Sequence, residues 1–136
     1  MWKPVSKVDY ATLAPRGQIL VVSCPLRERA LDRVQRWRDR ACAIAPDSSK
    51  ILRDVVRDLL ANPQVRAIVF DGPACGRAAY DAFWAGAAQP TWRIDEEHLA
   101  LVRGHVDLYD DDFSMKVPAQ PYWPARIAYT DDMEMP

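Results

Sequence analysis

Between residues 51 and 60 the apolar positions are Ile51, Leu52, Val55, Val56, Leu59 and Leu60, an i, i+1, i+4, i+5, i+8, i+9 series. That series is one face of an α-helix. Arg53, Asp54, Arg57 and Asp58 fall on the opposite face, which is expected to be solvated. Asp47, Ser48 and Ser49 precede the stripe as candidate N-caps. Asn62-Pro63 ends it, because a residue before proline is pushed out of the α region. Residues 18–24 (QILVVSC) and 65–70 (VRAIVF) carry near-continuous apolar, β-branched runs instead. Such runs mark strands covered on both faces, as in a parallel sheet.

Helical spacing returns three times. Over residues 26–40, Leu31, Val34 and Trp37 or Arg38 form a narrow stripe among charges. Over 77–87, Tyr80, Phe83 and Trp84 recur at i, i+3, i+4. Over 94–103 the acids sit in the first turn, where the helix dipole favours them, and Gly104 follows as a C-cap. Residues 105–109 alternate with period two and predict an edge or third strand. Residues 41–45 (ACAIA) fit either a short strand or a buried helix end. The resulting order is strand, helix, helix, strand, helix, helix, strand. It predicts an α/β sandwich around a small, mostly parallel sheet with flanking helices.

The two ends read differently. Pro4 and Pro15 keep residues 1–16 out of regular helix, giving an extended lead-in to a single α/β domain over residues 17–112. Residues 113–136 contain Pro118, Pro121, Pro124 and Pro136 among Tyr122, Trp123, Ile127 and Tyr129. Leaving those aromatics in water is unfavourable. This Pro/aromatic C-terminal arm is therefore expected to lie on its own domain or to dock on another chain, with disorder as the third outcome.

Composition narrows the function classes. Eighteen basic and 19 acidic residues give a net charge of −1, which argues against a nucleic-acid or anionic-membrane surface. Arginines crowd residues 27–40, but Glu28, Asp32 and Asp39 interleave with them, as on a salt-bridged helix face. Three cysteines, Cys24, Cys42 and Cys75, without CxxC spacing support neither a disulfide framework nor a structural zinc site. The N-terminal ten residues lack the apolar core of a signal peptide, and no apolar run approaches the ~20 residues of a membrane span. A cytoplasmic protein is expected.

Candidate chemistry concentrates in the loop DGPACGR, residues 71–77. In an open α/β sheet, ligands bind in the crevice outside the carboxyl ends of the strands. Gly72, Gly76 and Arg77 there suggest an anion site built from loop amides and a guanidinium. The G-x-x-x-G spacing lacks the third glycine of a dinucleotide fingerprint and the Lys-Ser/Thr of a P-loop, and an ordinary turn with a surface arginine fits equally. Cys75 shares the loop, and Cys24 ends the first strand facing the same crevice; small-residue filler and a buried thiol are the plainer readings. His98, His105 and the acids Asp107, Asp110, Asp111 and Asp112 lack the ligand spacing of a metal site. Trp84, Trp92, Tyr109, Tyr122 and Trp123 offer a stacking surface for a planar ring, or simply core and arm packing.

The segments AIAP (43–46), ILRDVV (51–56) and ANPQVRAIVFDG (61–72), with IDEEHL (94–99) and HVDLYD (105–110), resemble the cytoplasmic domain of the corrinoid-holding component of tetrahydromethanopterin S-methyltransferase. A related domain is appended to some thymidylate-synthase-like proteins. The resemblance spans residues 17–112 and implies a Rossmann-like α/β domain. It also implies an accessory ligand- or partner-binding module in one-carbon or pyrimidine-nucleotide metabolism, with a methyltransferase or thymidylate-synthase-like partner; a homo-oligomer is a further possibility that the sequence leaves open. A corrinoid or a folate/pterin is the cofactor it implies. The family ties cobalt ligation to a histidine after the second loop glycine, and Arg77 stands in that position here. A guanidinium offers donors only and cannot ligate cobalt. The alternatives are a small enzyme acting on a phosphorylated substrate through Arg77 and Cys75, and an interaction protein docking through its C-terminal arm.

Overall fold

The computed structural model describes residues 1–23, 35–46, 48–71, 76–110 and 116–129. Its strands are β1 (Ala11–Thr12), β2 (Ile19–Ser23), β3 (Ala41–Pro46), β4 (Ala67–Asp71) and β5 (Asp107–Asp110). Its helices are α1 (Leu52–Ala61), α2 (Arg77–Trp84) and α3 (Glu96–His105), with a 3-10 turn at Ser49–Ile51 leading into α1. The strands form one mixed sheet in the order β1-β3-β2-β4-β5. β2 runs parallel to both β3 and β4, β4 runs parallel to β5, and β1 lies antiparallel along β3.

The two apolar runs recognised as strands lie side by side, with Val21 opposite Val69 and Ser23 opposite Asp71. Both are buried throughout, as continuous apolar strands require. Residues 41–46 resolve as strand, completing the parallel core. Alternation divides the sheet into two faces. Leu20, Val22, Ile68 and Phe70 face the larger core with Val55, Leu59, Tyr80, Phe83, Leu99 and Val102 of the three helices. Ile19, Val21, Ala67 and Val69 face a smaller cluster around the fully buried Trp37.

The helix expected over 26–40 lies mostly outside the described residues; 35–37 are helical. Ser48 is the side chain that caps the turn into α1, accepting from the Lys50 amide at 3.2 Å. α2 stops at Trp84 instead of 87, in a Schellman arrangement. Gly86, at φ 103°, donates to the Phe83 carbonyl and Ala87 donates to that of Ala82. Gly104 is not a C-cap. α3 continues through it to His105 because burial of both Val102 and Val106 draws the chain on, and β5 accordingly begins at Asp107.

The largest correction concerns the polar face of α1. Arg57 and Asp58 are buried, not solvated. Asp58 Oδ1 accepts the amides of Val5 and Ser6 at 2.7 and 2.9 Å, and its Oδ2 accepts the hydroxyls of Ser6 and Tyr10. Asn62 exchanges hydrogen bonds with the Lys3 backbone at 2.7 and 3.0 Å. The N-terminal lead-in is thus part of the fold: Trp2 joins the core and β1 pairs with β3. On the same helix Arg57 donates to the Tyr129 carbonyl at 3.0 Å and to Asp54 at 3.3 Å. Residues 116–129 add a hydrogen bond from the Ile127 amide to the Leu60 carbonyl and one from the Tyr122 hydroxyl to that of Leu59.

Candidate functional site

At the carboxyl edge of the sheet stand Ser23 of β2, Pro46 of β3, Asp71 of β4 and Asp110 of β5. β3 and β4 flank β2 from opposite sides, so Ser23 and Asp71 end the two strands between which the chain reverses its direction across the sheet.

Asp71 is an unusual residue to find there. Its side chain is only 9% exposed. Oδ2 accepts the Trp37 indole N–H at 2.7 Å, while Oδ1 faces the Arg36 guanidinium at 4.0 Å. Parity in β4 puts Asp71 on the same face as Val69, the face that Trp37 covers. A buried carboxylate needs hydrogen bonds and opposite charge. The indole supplies one, and the longer contact to Arg36 supplies charge without a direct hydrogen bond.

Arg77 lies on the other face. It is the first residue of α2, with Gly76 as N-cap. Its Nε donates to Asp81 at 3.1 Å, its Nη1 donates to Asp110 at 2.7 Å, and its guanidinium sits 4.2 Å above the Phe70 ring. Burial acts to lower the Arg77 pKa, but the hydrogen bonds and charges of Asp110 and Asp81 outweigh it and raise the value. The guanidinium therefore fastens α2 to β5, and an incoming anion would compete with two carboxylates for it.

Gly72, Cys75 and Cys24 lie outside the described residues. Cys42 is a buried thiol within β3, pushed up to about 12 by burial. The histidines serve separate contacts. His98 Nδ1 is 2.6 Å from the Tyr129 hydroxyl, whereas the His105 ring stacks on Tyr122 at 5.5 Å. Among the described residues no three His, Cys, Asp or Glu side chains gather as a metal site. The aromatics are likewise dispersed. Trp84 and Trp92 pack on Phe83, Tyr122 on His105, and Tyr109 against the opposite face of the sheet. Trp123 is among the exposed large side chains.

Open clefts among the described residues lie elsewhere. One of about 440 Å³ lies at the amino ends of β2 and β3 beside Arg16 and Asp39, and one of about 400 Å³ lies by Arg93 and Glu96 before α3. Neither brings a buried polar side chain to its wall. The carboxyl edge does, and that distinguishes it chemically.

Asp71, Trp37 and Arg36 are the residues that sequence reasoning did not single out together. Asp71 was visible only as the first residue of the 71–77 loop. A charged residue ending an otherwise wholly apolar strand was the available signal. No family model matches the chain, and no curated protein matches it. No helix among the described residues is long and apolar enough to cross a membrane.

Proposed function

We propose that this chain is a ligand-binding accessory module with a Rossmann-like, doubly wound domain. It takes a small molecule in the crevice between the carboxyl ends of β2 and β4. The observation that supports this reading is the strand order. β3 and β4 leave β2 on opposite sides, and in open α/β sheets such a reversal creates the crevice where ligands bind. The placement of the elements fits. α1, α2 and α3 cover one face, and Trp37, in the connection from β2 to β3, covers the other.

The resemblance to the corrinoid-holding methyltransferase domain gives the metabolic setting of the proposal, one-carbon or pyrimidine-nucleotide chemistry beside a partner enzyme. Arg77 argues against the cobalt-ligating version of that role, since it offers no lone pair and is already held by Asp81 and Asp110.

The test is an amide NMR titration with hydroxocobalamin, folic acid and uridine 5′-monophosphate. A saturable response of Ser23, Asp71 and Gly76 to at least one of them is expected. Responses confined to other parts of the chain, or none, overturn the site.

A further inference from the structure

We infer that the cleft at the amino ends of β2 and β3 is an anion site, which takes the phosphate or carboxylate group of a small molecule between Arg16 and Arg40. It lies at the opposite end of the sheet from the crevice proposed above and is independent of it.

Three segments distant in sequence wall the cleft: the turn that enters β2, the turn that enters β3, and Val117 of the C-terminal arm. The Gln18 side-chain amide donates to the Ala119 carbonyl at 2.9 Å and holds the arm along this wall. The volume is about 440 Å³. Pockets of about 300–1,000 Å³ are the usual size for small-molecule sites.

Backbone packing places two like charges together here. The Gly17 amide donates to the Ala14 carbonyl at 2.8 Å, closing a tight turn, and the Ala14 amide donates to the Ala41 carbonyl at 3.0 Å. Arg16 is thereby carried on a turn pinned to the start of β3. That turn presses on the chain entering β3 so closely that a Cβ on Gly17 would lie 2.9 Å from the Arg40 carbonyl oxygen. Arg16 and Arg40 line one cleft for that reason. The Arg40 guanidinium lies 5.8 Å from the centre of the buried Trp37 ring, a stacking contact that restricts its position.

The balance of charge then selects the sign of the ligand. Two guanidiniums share the cleft with one carboxylate, that of Asp39. Among the described residues Arg16 is held in no ion pair, so Asp39 does not neutralise it. A guanidinium is planar, stays charged, and matches the paired oxygens of phosphate and carboxylate groups. Ala14, Ile19 and Val117 supply apolar wall, and a low-dielectric wall concentrates the field of the two cations in the opening. A cationic ligand would meet the reverse, one carboxylate against two like charges.

The test is an amide NMR titration of the full chain with sodium pyrophosphate and with sodium citrate at low salt, with sodium chloride at matched ionic strength as the reference. Saturable shifts of the Arg16, Gly17, Gln18 and Arg40 amides with at least one of them are expected, and the one that binds separates a phosphate from a carboxylate source. Arg16→Gln, at an exposed position, should weaken that binding about fivefold, and Asp39→Asn, which removes the charge opposing the anion, should tighten it about threefold. Added sodium chloride should weaken it. No saturable response of these amides to either anion overturns the inference. So does a response spread equally over Lys50, Arg53 and Arg126, or an affinity that Arg16→Gln leaves unchanged or Asp39→Asn weakens.

Discussion

The hydroxyl of Tyr10 donates to Asp58 Oδ2 at 2.5 Å, joining the segment before β1 to the middle of α1 across 48 positions of sequence. That carboxylate also holds Val5 and Ser6, so one buried charge organises the whole N-terminal strap. Replacing it with Asn removes the charge from four hydrogen bonds and misdirects an amide hydrogen at a donor. Asp58→Asn is expected to cost about 2–4 kcal/mol in urea unfolding, and Tyr10→Phe about 1–2 kcal/mol. A double-mutant cycle should show strong coupling between them.

The same contact predicts an alkaline limit. Burial, then the Asp58 charge, raise the Tyr10 pKa far above its ordinary value of about 10. A group whose folded pKa is raised binds its proton more tightly in the folded state. Its contribution is fully present below about pH 10 and is lost as pH climbs beyond that. Stability should therefore fall from about pH 10 upward, and Tyr10→Phe should flatten part of that slope. Urea midpoints between pH 8 and 11 measure it.

Glycine positions separate cleanly. A Cβ on Gly17 would lie 2.6 Å from the Cys42 backbone nitrogen and 2.7 Å from the Ala41 carbonyl carbon, both within β3. Gly17→Ala should destabilise by about 2 kcal/mol or more, since backbone must move. Gly104 sits within α3 with nothing inside 4 Å of an added Cβ. Gly104→Ala should stabilise by about 0.5–1 kcal/mol. Thermal unfolding of the two variants checks both signs.

Trp37→Phe keeps the apolar contact with Val21 and Val69 but removes the donor to Asp71 Oδ2. A loss of about 1.5–3 kcal/mol is expected, the range for a hydrogen bond to a buried charge. The Arg77–Asp110 pair is a contrast, because Asp110 is 90% exposed. Arg77→Met should cost less than about 1 kcal/mol, and added salt should shrink the difference. Urea unfolding of both variants at low and high salt measures the two losses.

The sequence pattern conveyed the elements that depend on one strong local signal. The stripe of Ile51 to Leu60 made α1 visible, and the runs over residues 18–24 and 65–70 made β2 and β4 visible. What stayed hidden depends on partners distant in sequence. Arg57 and Asp58 read as solvated because nothing local says that Ser6, Tyr10 and Tyr129 will cover them. β1 is two residues long and exists only because β3 offers an edge. Gly104 carries the same signal as a helix terminator, and the decisive fact was the burial of Val106. The sequence pointed to a candidate location, the loop after β4. Its chemistry was not legible, because Asp71 meets Trp37 across 34 positions and through a fold that no local spacing encodes.

The covering of α1 also has a kinetic meaning. Arg126 donates to the Lys3 carbonyl at 3.0 Å, linking two positions 123 residues apart, beside the helix that both segments overlie. The polar side of α1 is sealed only when the segments around Lys3 and Arg126 have met, and contacts so remote along the chain close slowly. Until then Asp58 and Arg57 keep their water. α1 can be helical early, but its amides become slow to exchange only when those two segments have closed over it.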